Sequence, residues 1–176
     1  MQEDAKLQVI DADITTLDVD AIVNAANAQL APGGGVCGTI HRAAGPELAQ
    51  ECTCLAPCET GGAVITAGYA LPATHVIHAV GPVWGGGEQG EDAALADCYR
   101  NALRIAREHG LVSIAFPAIS TGIYGFPAPR AAHIAVRTVL EETAGPGCVS
   151  HIIFCCFGEE SRKLHEEALA ELNPPG

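Results

Sequence analysis

Residues 24–38 read N-A-A-N-A-Q-L-A-P-G-G-G-V-C-G, two asparagines that run into three consecutive glycines and then into a predicted helix. Because Gly33, Gly34 and Gly35 have no Cβ, their backbone N–H groups can turn toward an anion and approach it closely. A helix that begins near Val36 adds the positive end of its dipole. The segment therefore predicts a loop that binds a phosphorylated ribose without a lysine. A plain flexible turn is the alternative for a glycine triplet.

The composition indicates a globular protein of one domain, residues 1–176. Hydrophobic residues make up 48% of the 176 residues and charged residues 17%, which excludes a disordered chain. The chain is long enough to bury a continuous core, and it has no apolar run of membrane-spanning length. Residues 1–6 lack the basic and apolar regions of a secretory signal, so the expected location is the cytoplasm.

The formal net charge of −12 argues against broad binding to nucleic acid, which needs a basic surface. The nine lysines and arginines are scattered along the chain, so an anionic ligand has to be captured locally. Backbone N–H groups in the glycine loop can do this in an acidic protein. The alternative is that the negative charge only keeps the protein soluble.

Three of the eight cysteines, Cys52, Cys54 and Cys58, have the spacing C-x-C-x3-C, which is loosely typical of metal ligands. A structural zinc site usually has four ligands in paired knuckles. The other cysteines beyond the glycine loop fall in a predicted helix, a turn and a buried strand: Cys98, Cys148, Cys155 and Cys156. We therefore expect reduced, mostly buried thiols and no metal, with a zinc site as the alternative.

Short apolar runs alternate with helical patterns along the chain, which predicts an α/β domain with helices on both faces of a largely parallel sheet. Strands 75–80 and 149–156 lack polar alternation, so we expect both of their faces to be covered. The predicted strands cover residues 7–11, 21–24, 63–67, 75–80, 112–115 and 149–156.

Five helices are predicted between and after these strands. Pro46 is well placed to open the second helix, because its missing N–H has no cost in a first turn. Gly110 is expected to close the third helix in a left-handed conformation. The predicted helices begin near Val36, at Pro46, shortly before Leu95, around Pro129 and near Glu159.

Polar and glycine-rich segments follow three of the predicted strands. Residues 11–15 follow the first strand, Asn24 and Asn27 lead from the second strand into the glycine loop, and residues 117–127 follow the fifth. Because ligands gather at the carboxyl ends of parallel strands, we expect these segments, Asn24 included, to contact a ligand in one cleft. The two glycine-bearing loops would supply backbone donors for a diphosphate and aromatic faces for a sugar or a base.

Each of these features also has a purely structural interpretation. Asp13 could only cap a turn, and the Ser-Thr-Gly sequence at 120–122 could only start a loop. Tyr124 and Phe126 could only pack against the core.

Five segments of the sequence, taken in order, resemble the macrodomain family and most closely its MacroD-like branch. The likeness extends over about residues 7–172. It implies a three-layer α/β/α fold with a mixed, largely parallel central sheet of about six strands and a cleft for ADP-ribose. The segments are D-I-T (13–15), V-D-A-I-V-N-A-A-N (19–27), G-G-G-V-C-G-T-I-H-R-A-A-G (33–45), L-P-A-T-H-V-I-H-A-V-G-P-V (71–83) and P-A-I-S-T-G-I-Y-G-F-P (117–127).

The resemblance also implies roles for individual residues. Asp13 would bind the adenine amino group, with the N–H of Ile14 nearby, and Phe157 would lie near the adenine. Asn27 would hold the distal ribose, and Tyr124 would pack beside it. Two loops would clamp the diphosphate, with Gly33, Gly34, Gly35 and Val36 on one side and Ser120, Thr121, Gly122, Ile123 and Tyr124 on the other. Cys52 and Cys58 match positions at which relatives often carry cysteine, which weakens the zinc alternative.

At Cys37 the sequence departs from the family pattern, whose hydrolases have an aspartate ten positions after the residue that matches Asn27. A carboxylate is ionised near neutral pH, whereas an ordinary thiol, with a pKa of ~8.5, is mostly protonated and is a poor acceptor. Hydrolysis could persist slowly because a substrate phosphate activates water, or the chain could only bind ADP-ribose. A third alternative is that Cys37, near a helix N-terminus, acts as a thiolate with His41 as its base.

By this resemblance, the sequence predicts a mono-ADP-ribosyl hydrolase that acts on ester-linked ADP-ribose of acidic side chains, on O-acetyl-ADP-ribose, or on both. Asn27 and Cys37 are the candidate catalytic residues. The expected partners are ADP-ribose, ADP-ribosylated protein or O-acetyl-ADP-ribose, with no cofactor and no membrane partner. The alternative is a non-catalytic module that reads ADP-ribose.

Overall fold

The computed structural model describes residues 5–144, 147 and 149–173. Its strands are β1 (Lys6–Asp11), β2 (Ala21–Ala26), β3 (Ala63–Ala67), β4 (His75–Val80), β5 (Ser113–Phe116) and β6 (His151–Cys156). Its helices are α1 (Gly35–Ala44), α2 (Pro46–Leu55), α3 (Glu91–Glu108), α4 (Ala128–Glu142) and α5 (Glu159–Leu172), with a short 3-10 helix at Ile14–Thr16. The predicted strands and helices are confirmed. Cys148, predicted to lie in a turn, and residues 1–4 lie outside the described residues.

The strand ends differ slightly from the predicted ones, because hydrogen bonding with the neighbouring strands decides where each strand begins and ends. Strand β2 continues past Asn24 because Ala25 and Ala26 pair with Ala79 and Val80 of β4. Strand β6 begins at His151, opposite both Lys6 of β1 and Ser113 of β5. An apolar pattern alone does not show where a neighbouring strand stops.

The six strands form one sheet in the order β1-β6-β5-β2-β4-β3. All neighbouring pairs are parallel except β3 and β4, which are antiparallel. The mixed, largely parallel sheet is therefore as predicted. Because β1, β6, β5 and β2 run in the same direction, their carboxyl ends meet at one edge of the sheet.

Helices cover both faces of this sheet, which gives three layers. On β2, Val23 packs into a core cluster with α3, α4 and α5, whereas Ile22 packs into a second cluster with α1 and α2. Strands β4 and β6 contribute to both clusters and are buried from their second residue onward, as their unbroken apolar sequences predicted. Among the described residues, no helix has the length and apolarity to cross a bilayer.

The helix ends follow the predicted signals. Pro46 is the first residue of α2. Beyond α3, Gly110 has a φ of 67° and its neighbour Leu111 donates back to the carbonyl of Ala106 at 2.9 Å. That left-handed turn ends the helix and directs the chain into β5.

Candidate functional site

A cleft of about 880 Å³ lies at the carboxyl edge of the sheet. Segments that follow β1, β2, β5 and β6 line it. They include every predicted site residue except Asn24: Asp13, Ile14, Asn27, Gly33, Gly34, Gly35, Val36, Cys37, Ser120, Thr121, Gly122, Ile123, Tyr124 and Phe157. A volume of this size suits a ligand as large as a dinucleotide.

The glycine loop after β2 folds back tightly onto the first turn of α1. Gly35 has a φ of 58°, and a Cβ on Gly38 would lie 2.3 Å from the carbonyl oxygen of Gly33. Only glycine fits these two positions without distortion. Across the described residues, no acceptor is found for the N–H groups of Gly34, Gly35 and Val36. These donors stand at the positive end of the α1 dipole, which suits an anion.

The second loop, after β5, faces the first one across the cleft. It is held by two backbone hydrogen bonds, from Phe126 to Ser120 at 2.9 Å and from Gly125 to Gly122 at 3.0 Å. Within the described part of the chain, the N–H groups of Gly122, Ile123 and Tyr124 find no acceptor. Each side of the cleft therefore offers a set of unpaired backbone donors.

The two loops meet at Ile123 and Gly34. The Cδ1 atom of Ile123 lies 3.3 Å from where a Cβ on Gly34 would be, although 85% of Ile123 is exposed. A ligand that reached both sets of donors would pass beneath this contact.

The hydroxyl of Ser120 is buried in the cleft without a partner. Ser120 is 6% exposed, has a φ of 68°, and its Oγ makes no hydrogen bond to any described residue. The Oγ atom lies 2.2 Å from the position that a Cβ on Gly81 would occupy. An unpaired buried hydroxyl costs free energy, so Ser120 is a locally unfavourable residue beside the cleft.

An aromatic and ionic platform supports the second loop from outside the cleft. The N–H of Trp84 donates to the carbonyl of Tyr124 at 2.8 Å, and the Trp84 ring lies 4.7 Å from that of Phe126. The guanidinium of Arg130 lies 5.1 Å from the Trp84 ring and forms two hydrogen bonds with Asp92. Phe126 is buried, so its core interpretation is correct, whereas Tyr124 is half-buried and lines the cleft.

The β1 side of the cleft carries Asp13, Ile14 and Phe157. An Asp13 carboxylate oxygen accepts from the hydroxyl of Thr15 at 2.6 Å and from its N–H at 3.0 Å, and these bonds hold the pKa of Asp13 below its ordinary value. The turn-capping interpretation of Asp13 is therefore correct, and the residue also lines the cleft. The Phe157 ring is 94% exposed at the rim, open to stacking by a planar group.

The β2 side of the cleft carries Asn27 and Cys37. The Asn27 amide makes two hydrogen bonds with the backbone of Ala31, at 2.9 and 3.1 Å, which fix its orientation. The Cys37 thiol, 5% exposed, donates toward the Ala31 carbonyl at 3.6 Å. A Cβ on Gly33 would lie 3.5 Å from the Asn27 amide nitrogen and 3.8 Å from the Cys37 sulfur. These three residues therefore form one end of the cleft.

Asn24 does not line the cleft, so the prediction that it contacts the ligand needs correction. It is 1% exposed beneath α1, where its amide nitrogen lies 3.1 Å from Nδ1 of His78. Side chains alternate along a strand, and Asn24 follows Ile22 onto the face that α1 and α2 cover. Asn27 lies beyond the end of β2, so the alternation of side chains along the strand does not fix its direction.

The structure does not support a Cys37–His41 pair. Among the described residues, neither ring nitrogen of buried His41 has a hydrogen-bond partner, Cys37 included. Burial lowers the pKa of His41 and favours its neutral form. A base that activates a thiol has to contact it, so the thiolate interpretation of Cys37 loses its support.

The cysteines of the C-x-C-x3-C segment do not converge. Cys52 lies near His78, exposed Cys54 donates toward the Gln50 carbonyl, and buried Cys58 donates toward the Glu59 carbonyl. Within the described ranges, no three His, Cys, Asp or Glu side chains are arranged to hold a metal. All seven described cysteines are free thiols, and six of them are buried.

Sequence reasoning missed Arg42 and Thr39, which line the cleft from α1. The Thr39 hydroxyl donates to the Gly35 carbonyl at 3.2 Å, and Arg42 donates to that hydroxyl at 3.3 Å. The signal was present, because residues at i, i+4 and i+7 share one face of a helix. Arg42 therefore lies on the face that begins at Gly35.

A family model of the Macro domain matches residues 23–135, which span the glycine loop, the sheet strands β2 to β5 and the second loop. This chain belongs to the macrodomain family. The macrodomain is 55% identical over 170 residues to a macro domain-containing protein of Chlorobaculum tepidum, an alignment that covers 97% of this chain and 99% of the relative. It is 49% identical over 170 residues to the O-acetyl-ADP-ribose deacetylase of Escherichia coli K12, with 94% and 96% covered.

The fold also matches solved macrodomains. The structure of the Oceanobacillus iheyensis macrodomain with ADP superposes with a TM-score of 0.91 at 40% identity, covering 96% of this chain and 92% of that one. Solved variants of the same protein replace an asparagine, a glycine seven positions later and an aspartate three positions after that; the glycine variant was solved with ADPR. Asn27, Gly34 and Cys37 have the same spacing in this macrodomain.

Proposed function

We propose that this macrodomain binds ADP-ribose in the cleft and hydrolyses an ester at its distal ribose, either to an acidic side chain or to an acetyl group. The observation that carries the proposal is the pair of unpaired donor sets, at Gly34 to Val36 and at Gly122 to Tyr124, on opposite sides of the cleft. A diphosphate between them would receive hydrogen bonds on both sides without any lysine. The ADP in the Oceanobacillus structure and the deacetylase name of the Escherichia coli relative support the same conclusion.

The order of the strands supports one direction for the bound ligand. Asp13 and Phe157 lie where β1 and β6 end, and they suit the adenine: a carboxylate for its amino group and a ring face for stacking. Asn27 and Cys37 lie near the end of β2, on the far side of β5. The distal ribose and its ester therefore belong at the Asn27 end.

Hydrolysis at this end requires water to add to the acyl carbon. The bond between that carbon and the ribose oxygen then breaks, and the ribose hydroxyl receives a proton. Cys37 is a poor base for the water, because its buried thiol is already directed toward the Ala31 carbonyl. A phosphate of the bound ADP-ribose takes the proton instead, while Asn27, held by Ala31, orients the ribose. Without a carboxylate at position 37, we expect turnover to be about 10²- to 10⁴-fold slower than the turnover of a site that has this base.

A reader that binds ADP-ribose without hydrolysis is the second candidate. The observation that favours it is Cys37 itself, since the spacing of the Oceanobacillus variants puts an aspartate at this place. Both candidates use the same donors for the diphosphate, so binding alone does not distinguish them.

Two measurements test the proposal. Calorimetry with ADP-ribose measures binding, and loss of label from an auto-modified ADP-ribosyltransferase measures hydrolysis, for the wild type, Asn27→Ala and the exposed amide control Gln50→Ala. We expect binding and slow turnover in the wild type and the control, and loss of turnover in Asn27→Ala. Binding without turnover in the wild type would identify a reader. The absence of any heat with millimolar ADP-ribose would exclude both candidates.

A further inference from the structure

We propose that Arg42 binds a carboxylate of the peptide that carries the ADP-ribose, next to the modified residue, so that the site prefers acidic target segments. This inference rests on the proposed function, because it needs ADP-ribose in the cleft with its ester at the Asn27 end. It adds a binding subsite for the target itself.

Arg42 lines the cleft from α1, the helix that also carries Cys37. Gly33 lies against both Asn27 and Cys37, and the same glycine's carbonyl oxygen approaches Gly38, over which the guanidinium of Arg42 lies. A Cβ on Gly38 would be 3.1 Å from Nη1 of Arg42. These close approaches put Arg42 on the same side of the cleft as Asn27 and Cys37, the end proposed for the ester.

Arg42 also differs from most arginines of the chain, because it has no counterion among the described residues. Five others form ion pairs with carboxylates: Arg100, Arg104, Arg107, Arg130 and Arg162. Within the part of the chain that the structure describes, no carboxylate lies within 4.0 Å of the Arg42 guanidinium. Its one hydrogen bond goes to the neutral hydroxyl of Thr39.

The exposed guanidinium therefore retains donors for an incoming group. A guanidinium has five N–H donors in a planar fork that matches a carboxylate, and Thr39 accepts only one of them. Of the described residues that line the cleft, only Arg42 and Asp13 carry charged side chains, and Asp13 lies at the end proposed for the adenine. Among the described residues that line the cleft, Arg42 is therefore the one cation that an anionic group beside the ester could bind.

The charge of the protein favours a peptide over a nucleic acid as the target. A nucleic-acid strand presents a row of phosphates and needs several cations, whereas this chain has a net charge of −12. A single flanking carboxylate needs a single guanidinium. The acidic surface would repel a strand along its length but leaves this one contact available.

The test compares two ligands in which ADP-ribose is joined to a peptide through an amide that resists hydrolysis. One peptide has glutamates on both sides of the modified residue, and the other has glutamines. Dissociation constants are measured at low and high salt for the wild type, Arg42→Gln, Arg42→Lys and the matched control Arg137→Gln, which removes an exposed arginine of α4 outside the cleft.

We expect the wild type and Arg137→Gln to bind the glutamate peptide about two- to fivefold tighter than the glutamine peptide at low salt, the range of an exposed ion pair. The ratio of the two dissociation constants, glutamine peptide over glutamate peptide, falls to about one in Arg42→Gln and is partly restored in Arg42→Lys. In the wild type this ratio shrinks at high salt.

Three results would overturn the inference. The first is a ratio of one or less in the wild type, with both peptides bound. The second is an unchanged ratio in Arg42→Gln. The third is a larger loss of affinity in Arg42→Gln for ADP-ribose joined to an oligonucleotide than for ADP-ribose joined to the glutamate peptide. If neither peptide nor free ADP-ribose binds the wild type, the proposed function fails as well, and this outcome is distinct from the other three.

Discussion

The sulfur of Cys37 lies 3.7 Å from the amide nitrogen of Asn24, which in turn lies 3.1 Å from Nδ1 of His78. The other ring nitrogen of His78, Nε2, lies 3.0 Å from the Thr66 hydroxyl. Cys37 therefore belongs both to the floor of the cleft and to a buried polar cluster beneath it. Substitutions in that cluster should affect stability and chemistry separately.

Asn24→Ala should destabilise the protein without directly weakening ligand binding. The change leaves Nδ1 of the fully buried His78 without its partner, which lowers the free energy of unfolding by about 1–3 kcal/mol. Urea unfolding measures the loss, and calorimetry on the folded variant measures ADP-ribose affinity, with exposed Gln50→Ala as the amide control. A large loss of affinity with normal stability would instead return Asn24 to the ligand site.

Cys37→Asp should accelerate hydrolysis. The carboxylate would be ionised, would replace a thiol that serves as a donor to Ala31, and could accept from the Asn24 amide. A restored proton acceptor raises the single-turnover rate by up to about 10²- to 10⁴-fold. Cys37→Asn, of the same shape but without charge, should not be faster than the wild type. Equal rates for the aspartate and asparagine variants would show that position 37 does not limit the chemistry.

Ser120→Ala should change stability and affinity in opposite directions. Its hydroxyl has no partner in the described protein, so its removal leaves the free energy of unfolding unchanged or raises it by up to about 1 kcal/mol. We expect ADP-ribose affinity to fall about two- to tenfold, on the hypothesis that the bound ligand supplies the partner that this hydroxyl lacks. Thr121→Ala provides the contrast, since the Thr121 hydroxyl already donates to the Ala118 carbonyl at 2.9 Å and its loss should destabilise the protein. A Ser120→Ala variant that loses stability but keeps its affinity would contradict this role.

Stability should fall as the pH drops below 6.5. Burial, with a smaller effect of nearby His41, lowers the pKa of His78 from 6.5 to about 3, and burial also lowers the pKa of His41 and His165. The folded state then binds fewer protons than the unfolded state between these values. The stability that neutral His78 contributes is therefore complete above pH 6.5 and declines toward pH 3, by up to about 1.4 kcal/mol per pH unit, and His41 and His165 add to the decline below pH 6.5.

This pH dependence is best measured by urea unfolding between pH 6.5 and 5. In that range the carboxyls of Asp13 and Glu91, whose pKa values are lowered in the folded state, remain mostly ionised in both states and add little to the slope. His165→Gln should give a shallower slope than the wild type, because it removes one of the buried histidines whose pKa is lowered. A wild-type slope of zero in this window would contradict the assignment of buried neutral histidines.

Local patterns in the sequence predicted most of the fold. The unbroken apolar runs of β4 and β6 predicted strands that are covered on both faces, and Pro46 and Gly110 predicted helix boundaries. These predictions were possible because each signal depends on a few neighbouring residues. The two glycine-bearing loops were recognisable for the same reason. Their place at the carboxyl ends of parallel strands then predicted a shared cleft.

By itself, then, the chain specified its strands, helices and ligand loops, since apolar spacing, proline and glycine act over short distances. The packing of α1 against β2 and β4 decided what those patterns could not: it turned Asn24 inward to His78 and left Asn27 at the cleft. It also placed Arg42 in the lining of the cleft, whereas the packing of the second loop against Gly81 buried the Ser120 hydroxyl. These outcomes depend on contacts between residues far apart in sequence, where burial and hydrogen-bond partners are determined only when the layers come together.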